Sequence, residues 1–135
     1  MTREPLSEQG SESSVFASVE DAVAAIARGE IIVVVDDEDR ENEGDLIMAA
    51  GAASAETITF FVRHTSGVIC APLTGERLDE LEIPLMVRDN TESHRTAFTY
   101  SVDYVHGTST GISAADRAAT IQACQAVPED ALVSP

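Results

Sequence analysis

The sequence predicts an α+β fold, an α/β sandwich in which a mixed β-sheet is flanked by helices. Segments with helical periodicity alternate along the chain with apolar runs rich in Val and Ile, which is typical of layered α and β elements. A later segment, 97–105, alternates apolar and polar side chains, which indicates an antiparallel strand with one wet face. The length of 135 residues fits one domain. We expect that domain at 15–135, after a disordered tail at 1–14 that is rich in Ser and Glu.

The first half of the domain is predicted to contain two helices and two strands. Ser18 is a suitable N-cap, and apolar side chains recur at the helical spacing from there until Gly29. Residues 31–35 are five consecutive β-branched residues, which favours a strand that is buried on both faces. A second strand is predicted at 46–50, and a second helix begins at Ser54.

The second half is predicted from the same signals. The second helix ends before Gly67, and after it come a strand at 68–73, a short helix at 74–81, a polar loop at 88–96, the alternating strand and a helix at 113–126. Ser113 is the expected N-cap of this last helix, with Asp116 three residues later. Because only 4% of the residues are aromatic and none is Trp, the core should consist of Val, Ile, Leu and Ala.

The composition limits the classes of partner. The formal net charge of -16 repels nucleic-acid phosphates and anionic membrane surfaces and favours cations. No apolar run approaches the roughly 18 residues that a membrane helix needs. Cys70 and Cys124 lie in apolar segments of a chain that opens without a hydrophobic leader, so we expect a cytoplasmic protein with reduced thiols. Neither nucleic acid nor membrane is expected as a partner.

A dense acidic segment, DDEDRENEGD at residues 36–45, follows the first predicted strand directly. Two carboxylates about 4 Å apart repel each other by about 1 kcal/mol in water, but by about 4 kcal/mol at an effective dielectric constant near 20. The segment is therefore either a solvated patch or a cation site, and ligand sites in such sheets gather beyond the carboxyl ends of strands. Oxygen ligands without cysteine select Mg²⁺ or Mn²⁺. An EF-hand loop is excluded, since Ala50 stands where a bidentate Glu is required.

The order of residues within the acidic segment suggests individual roles. Glu41, Glu43 and Asp45 alternate, so they would project together from an extended backbone. Arg40 is a candidate partner for a phosphate or carboxylate group. Gly44 would permit a tight turn.

The second chemical signal is GTSTGISAADR at residues 107–117. Three hydroxyl residues, which include Thr108 and Thr110, lie between two glycines at the start of the last predicted helix. The free N–H groups and the dipole of a helix start attract an anion, although an ordinary N-cap uses the same residue types. Together with a metal-binding acidic segment, such a loop describes a site for a small phosphorylated polyol or ketose.

The cysteines and histidines give weaker signals. Cys70 and Cys124 are both interpreted from the sequence as core residues of their apolar segments. His94 and His106 lie in predicted loops and are candidate ligands or proton carriers, but single loop histidines usually are neither.

Four segments of the sequence resemble the 3,4-dihydroxy-2-butanone 4-phosphate synthase family of riboflavin biosynthesis. They are DDEDRENEGDLI, RHTSGVIC, DNTESHRTAFTYSVD and TGISAADRAATI, in the order and spacing of that family over about residues 17–122. The resemblance implies a lyase that converts D-ribulose 5-phosphate to 3,4-dihydroxy-2-butanone 4-phosphate and formate. It also implies Mg²⁺ or Mn²⁺ and a homodimer whose active sites lie near the subunit interface.

The resemblance also implies roles for single residues. Glu41 is expected to be a metal ligand, and the expected catalytic residues are Glu43, Asp45 and Cys70. The expected substrate-binding residues are Arg40, Asp45, Thr108, Thr110 and Asp116.

The sequence departs from the family pattern at three places. Ser134 stands where the family usually has Arg, and Arg95 stands where it usually has Gly. Beyond PEDALVSP the family continues with an RPGH segment and a GGHTEA-like segment, which supply a metal-binding His, basic residues and a catalytic Glu. Loss of a single partner around a metal ligand commonly costs about 10- to 100-fold in affinity or activity. We therefore expect little or no synthase activity from these 135 residues alone, and the alternative is a catalytically incomplete relative that binds a sugar phosphate or associates with a full-length synthase.

Overall fold

The computed structural model describes residues 15–126 and 132–133, and it has the predicted combination of helices and strands. The predicted tail at 1–14 lies outside the described residues. In chain order the elements are helix α1 (Val19–Ala27), strands β1 (Ile32–Val35) and β2 (Gly44–Ile47), a 3-10 turn (Ala50–Ala52), helices α2 (Ala55–His64) and α3 (Gly75–Glu80), strand β3 (Asp103–Tyr104), helix α4 (Ala114–Ala126) and strand β4 (Leu132–Val133).

The acidic segment connects a β-hairpin. Strands β1 and β2 pair antiparallel, with Ile32 opposite Ile47 and Val35 opposite Gly44, so that 36–43 form the connecting loop. A second antiparallel pair joins β3 to β4. Within the described residues the strands therefore form two separate two-stranded sheets, both antiparallel, in place of the larger mixed sheet that the sequence predicts. The α+β class itself is as predicted.

Helix α4 holds the described part of the chain together. It packs on α2, on the 3-10 turn and on β3. Its backbone accepts a hydrogen bond of 2.9 Å from Arg77 Nε at the Cys124 carbonyl. The buried apolar residues are Ala53, Ile58, Leu81, Ile83, Ala118, Ala123 and Cys124. This core is aliphatic, as the composition predicts.

The helices begin where local signals predict. Ser18 Oγ accepts the backbone N–H of Asp21 at 3.1 Å, and Ser54 Oγ accepts that of Thr57 at 3.2 Å. These bonds satisfy N–H groups that have no partner within the helix. Gly29 follows α1 with φ +77°, a left-handed conformation that favours glycine. No helix in the described ranges combines the length and apolar character needed to cross a membrane.

Three strand predictions are wrong in the part of the chain that the structure describes. Residues 68–73 have no strand structure. In 97–105 the ladder is reduced to an isolated bridge between Thr99 and Leu85 and to the two residues of β3. Strand β1 is not buried on both faces, since Val33 is 65% exposed. Apolar alternation and β-branched runs report local strand preference, whereas pairing and burial depend on distant elements.

We predict that truncation of the most buried side chain destabilises the domain. Ile58 on α2 is 1% exposed, so Ile58→Ala removes apolar contacts and leaves a cavity. The free energy of unfolding should fall by about 2–4 kcal/mol. Val62→Ala on the same helix is the control, because Val62 is 55% exposed and its loss should cost less than about 0.5 kcal/mol. Urea unfolding followed by circular dichroism measures both, and equal losses would contradict the assignment of this core.

Candidate functional site

The acidic hairpin loop is built around the carboxylate of Asp36. One oxygen accepts the backbone N–H of Glu43 at 2.8 Å. The other accepts the backbone N–H of Glu41 at 3.0 Å and Nη1 of Arg40 at 2.8 Å. The Asp36 side chain is 21% exposed, the least of the residues in its ion pairs. Asp36 therefore fixes the path of the loop from within.

These contacts perturb the two charged groups in the expected directions. The N–H of Glu43 is the main cause that lowers the pKa of Asp36. The hydrogen bond to Asp36 is likewise the main cause that raises the pKa of Arg40. The turn comprises residues 38–41, and Asn42 directly after it has φ +51°, a conformation that Asn tolerates well. Gly44, the predicted turn residue, instead begins β2.

The other predicted site residues of this loop have different surroundings. The Glu41 carboxylate lies 3.4 Å from Arg40 Nη1 and 3.9 Å from His94 Nε2. Glu43 is exposed, and Asp45 pairs with Val34 inside the hairpin. Across the described ranges, His, Cys, Asp and Glu side chains do not gather in groups of three that could hold a metal ion.

His94 is a neighbour of the acidic loop that the sequence reasoning undervalued. Glu92 shapes the loop that carries it, since its carboxylate accepts the N–H groups of His94 at 2.9 Å and Thr96 at 3.3 Å and the hydroxyl of Ser93 at 2.8 Å. The N–H of His94 is the main cause that lowers the pKa of Glu92 to about 2. Arg95 has φ +54°, which explains why glycine is usual at this position in the resembling family. Glu92, two positions before His94, is a local turn signal in the sequence. The approach of His94 to Glu41 is a tertiary contact, which no local pattern predicts.

A cavity of about 360 Å³ brings two of the predicted catalytic residues together. Asp45 and Cys70 both line it, with apolar side chains that include Ile58 and Phe61. Cys70 is exposed rather than part of the core, and its Sγ lies 3.9 Å from the carbonyl of Val68. The volume is in the range of small-ligand sites, and a mostly apolar wall with few polar groups is typical of them.

The hydroxyl-rich loop is organised by a buried acid. Asp116 is 7% exposed, and its Oδ2 accepts Ser109 N at 3.2 Å, Ser109 Oγ at 2.9 Å and Gly111 N at 3.2 Å. The Ser109 hydroxyl is the main cause that lowers the pKa of Asp116. Two N–H groups of the loop before α4, those of Ser109 and Gly111, thus donate to a side chain of the same chain.

The two predicted threonines of this loop differ. Thr108 Oγ1 donates to the carbonyl of Tyr104 and is partly buried, so this hydroxyl has an internal structural contact. Thr110 is exposed. Of the two hydroxyls, that of Thr110 is the more accessible to a ligand.

A second cavity of about 420 Å³ lies beside this loop. Gly111, Asp103 and Arg117 are among its lining residues. It shares three lining residues with the first cavity: Val68, Ile69 and Ile121. The two cavities are therefore neighbours, and the segment after α2 separates the side of Asp45 from the side of Gly111.

These features define an α+β domain in which an acidic hairpin and a hydroxyl-rich loop border adjoining small-molecule cavities. The family model described as 3,4-dihydroxy-2-butanone 4-phosphate synthase matches residues 20–135, and the chain belongs to this family.

Individual relatives agree with this assignment. The 3,4-dihydroxy-2-butanone 4-phosphate synthase of Agrobacterium fabrum is 60% identical over 108 residues, which cover 80% of this chain and 51% of the relative. The enzyme of the same name from Schizosaccharomyces pombe is 54% identical over 106 residues, with 78% and 52% covered. A solved synthase in complex with two magnesium ions has a TM-score of 0.86 at 46% identity, over 89% of this chain and 57% of that one. The chain thus spans about half the length of the curated relatives it matches.

The described residues offer the type of donor atom that a divalent cation binds, but too few such residues lie together to hold one. Exposed carboxylates such as Glu41 are the hard oxygen donors that Mg²⁺ and Mn²⁺ prefer. However, Glu41 is paired with Arg40, and the described ranges bring no third metal-binding side chain to it. The described residues therefore do not assemble a complete ligand set.

We predict that Asp36→Asn loosens the hairpin loop. Asn offers only one carbonyl oxygen and no charge, so it cannot serve Arg40 and the N–H groups of Glu41 and Glu43 as the carboxylate does. Amide hydrogen exchange at Glu41 and Glu43 should accelerate by roughly tenfold or more. The neighbouring Asp37→Asn preserves these bonds and should leave exchange unchanged.

The same loop should loosen in acid. The pKa of Asp36 is lowered in the folded protein, so its contribution is fully present above the ordinary pKa of the unfolded chain, 3.8, and is lost as pH falls below that value through the folded pKa. Asp36→Asn should abolish this acid dependence. Equal exchange in the variant and the parent protein across that range would contradict the role of Asp36.

Proposed function

We propose that this chain provides the acidic part of an active site that converts D-ribulose 5-phosphate to 3,4-dihydroxy-2-butanone 4-phosphate and formate. The observation that carries the proposal is the shared cavity of Asp45 and Cys70. These residues come from separate family motifs, and the resemblance implies that Asp45 contacts the substrate and that Cys70 lies close to it. Membership of the synthase family and the names of the relatives support the same activity.

The chemistry of such a conversion suits positioned carboxylates. Rearrangement of a ketose phosphate needs proton transfers next to a carbonyl group, and carboxylates within reach of the substrate can accept and return these protons. Asp45 is the carboxylate at the cavity, and Glu43 lies two residues before it at the exposed end of the hairpin. In the proposal Asp45 binds and deprotonates substrate hydroxyl or C–H groups, Glu43 orients or exchanges protons, and Cys70 forms part of the wall next to the reacting carbons.

The remaining predicted residues keep substrate-facing or supporting roles in the proposal. Arg40 is paired with Asp36 and Glu41, so in the proposal it contacts the substrate directly only if it leaves Asp36. Otherwise it acts on the substrate through Glu41. Thr110 offers an exposed hydroxyl, whereas Thr108 supports the loop through Tyr104. Glu41 would be one ligand of Mg²⁺ or Mn²⁺, and a bound cation would stabilise negative charge on the substrate oxygens. A relative in complex with two magnesium ions supports a divalent cation.

The assembly and location of the protein are also part of the proposal. We propose a homodimer, which is supported by exposed apolar side chains such as Val33 on β1 and Val68 beside the cavities, at 65% and 86% exposure. A cytoplasmic location is proposed for this chain, although plant relatives carry names that place them in the chloroplast.

A formate-release assay with D-ribulose 5-phosphate and Mg²⁺ tests the proposed activity. In a chimera, this chain replaces the matching 108 residues of the A. fabrum synthase, with which it is 60% identical. We expect the chimera to release formate. The 135-residue chain alone should be slower by at least about 10- to 100-fold, because the described residues do not complete a metal site.

The other outcomes of this assay separate the alternatives. An inactive chimera that still binds the sugar phosphate would identify a catalytically incomplete relative. Turnover by the chain alone at the rate of the chimera would overturn the expectation that these residues are insufficient.

We predict that Glu41→Gln in the chimera abolishes metal-dependent formate release, by about 100-fold or more. Gln keeps the size of the side chain but removes the negative charge that a divalent cation needs. Glu38→Gln is the matched control, since Glu38 is an exposed acid of the same loop, and its replacement should leave activity unchanged. Equal activity of both variants would show that Glu41 is not the ligand.

A further inference from the structure

One oxygen of the Asp116 carboxylate, Oδ2, has little capacity left for a substrate. A carboxylate oxygen has about two lone-pair sites, and Oδ2 already accepts three donors, from Ser109 N, Ser109 Oγ and Gly111 N. The residue as a whole is buried, at 7% exposure. A buried carboxylate with one oxygen fully engaged by its own loop is held by the protein, in contrast to the substrate-binding role expected from the sequence.

The backbone of Asp116 is fixed as firmly as its side chain. Ser113 Oγ accepts its N–H at 3.0 Å, and its carbonyl accepts Thr120 Oγ1 at 3.0 Å. Thr120 Oγ1 in turn accepts the N–H of Tyr104 at 3.1 Å, which connects this turn of α4 to β3. The carboxylate therefore projects from a rigid part of the fold.

Thr110 lies between the two residues that Asp116 holds. The N–H groups of Ser109 and Gly111, directly before and after it, both donate to Oδ2. Gly111 has φ +74°, and a Cβ there would clash with the Asp103 carboxylate, so this position of the loop favours glycine. The Thr110 side chain nevertheless remains exposed.

We propose that Asp116 is a positioning residue, which holds the loop at Ser109 and Gly111 so that the hydroxyl of Thr110 meets the sugar phosphate, and that Asp116 itself does not touch the substrate. This inference rests on the proposed function, because it takes D-ribulose 5-phosphate as the ligand of Thr110. Its physical basis is preorganisation, since a loop that is already ordered loses less conformational freedom when the ligand binds.

The first test is amide hydrogen exchange on the full chain without ligand. In Asp116→Asn the charge is lost, so exchange at Ser109 and Gly111 should accelerate by about tenfold to a hundredfold. Ser109→Ala removes one donor and preserves the carboxylate, so Gly111 should remain protected in that variant. Unchanged exchange at both residues in Asp116→Asn would overturn the proposal.

The second test is a double-mutant cycle on the dissociation constant of D-ribulose 5-phosphate, measured by calorimetry with the full chain and Mg²⁺. Thr110→Ala should weaken binding by about tenfold, and Asp116→Asn by a similar factor. If Asp116 acts through Thr110, the double variant binds no more weakly than Thr110→Ala alone. Multiplied losses would mean that Asp116 contacts the substrate or acts on the whole fold, and would overturn the proposal.

A control separates positioning from general stability. Leu81→Ala removes a buried side chain that lines neither cavity and preserves the bonds of Asp116, so it should lower the melting temperature without changing the dissociation constant. Equal weakening of binding by Leu81→Ala would reduce Asp116 to a structural role. If the parent chain does not bind the sugar phosphate and the chimera releases no formate, the proposed function fails, whereas the exchange experiment still decides whether Asp116 holds the loop.

Discussion

The hydrogen bonds of Asp36 are the constraint on which the acidic hairpin depends. Seven carboxylates in ten residues repel one another, and each close pair costs about 1 kcal/mol if both charges face water but about 4 kcal/mol if they are half-buried. In the loop one carboxylate, that of Asp36, is turned inward, where it accepts two backbone N–H groups and a guanidinium group. The other acids are exposed to solvent, where repulsion is low. The loop thus keeps a defined shape while its charge remains available at the surface.

Two further loops are also held by a carboxylate that accepts their backbone N–H groups. Glu92 accepts the N–H groups of His94 and Thr96, and Asp116 accepts those of Ser109 and Gly111. In each case the pKa of the acid is lowered, so the carboxylate remains charged at neutral pH and the loop remains closed. Part of the large negative charge of this chain is therefore structural. These three loops contain or adjoin the predicted site residues. A carboxylate that binds the N–H groups of its own loop keeps that loop rigid, and a ligand site needs rigid surroundings.

The accuracy of the sequence predictions depended on whether the determining contact was local. Ser18 and Ser54 were predicted as caps because the cap bond lies within three residues. The strand at 68–73 and most of that at 97–105 failed because a strand exists only with a partner, and apolar spacing does not say whether the partner is there. The exposure of Val33 was missed for the same reason. Of the site, the sequence identified the acidic and hydroxyl-rich loops as chemical features, but not the approach of His94 to Glu41.

Charge balance finally connects the two loops to the proposed substrate. A phosphorylated ketose is an anion, and at an acidic surface it binds only if positive charge compensates both its own charge and that of the carboxylates. Arg40 is held by Asp36 and Glu41, and two N–H groups of the hydroxyl-rich loop, those of Ser109 and Gly111, donate to Asp116. Among the described residues, Arg117 is the basic side chain that lines the second cavity. One guanidinium cannot balance a phosphate dianion and the hairpin together, so the proposed function needs further positive charge, either from a divalent cation or from the basic residues that the resemblance implies in the RPGH segment of the family.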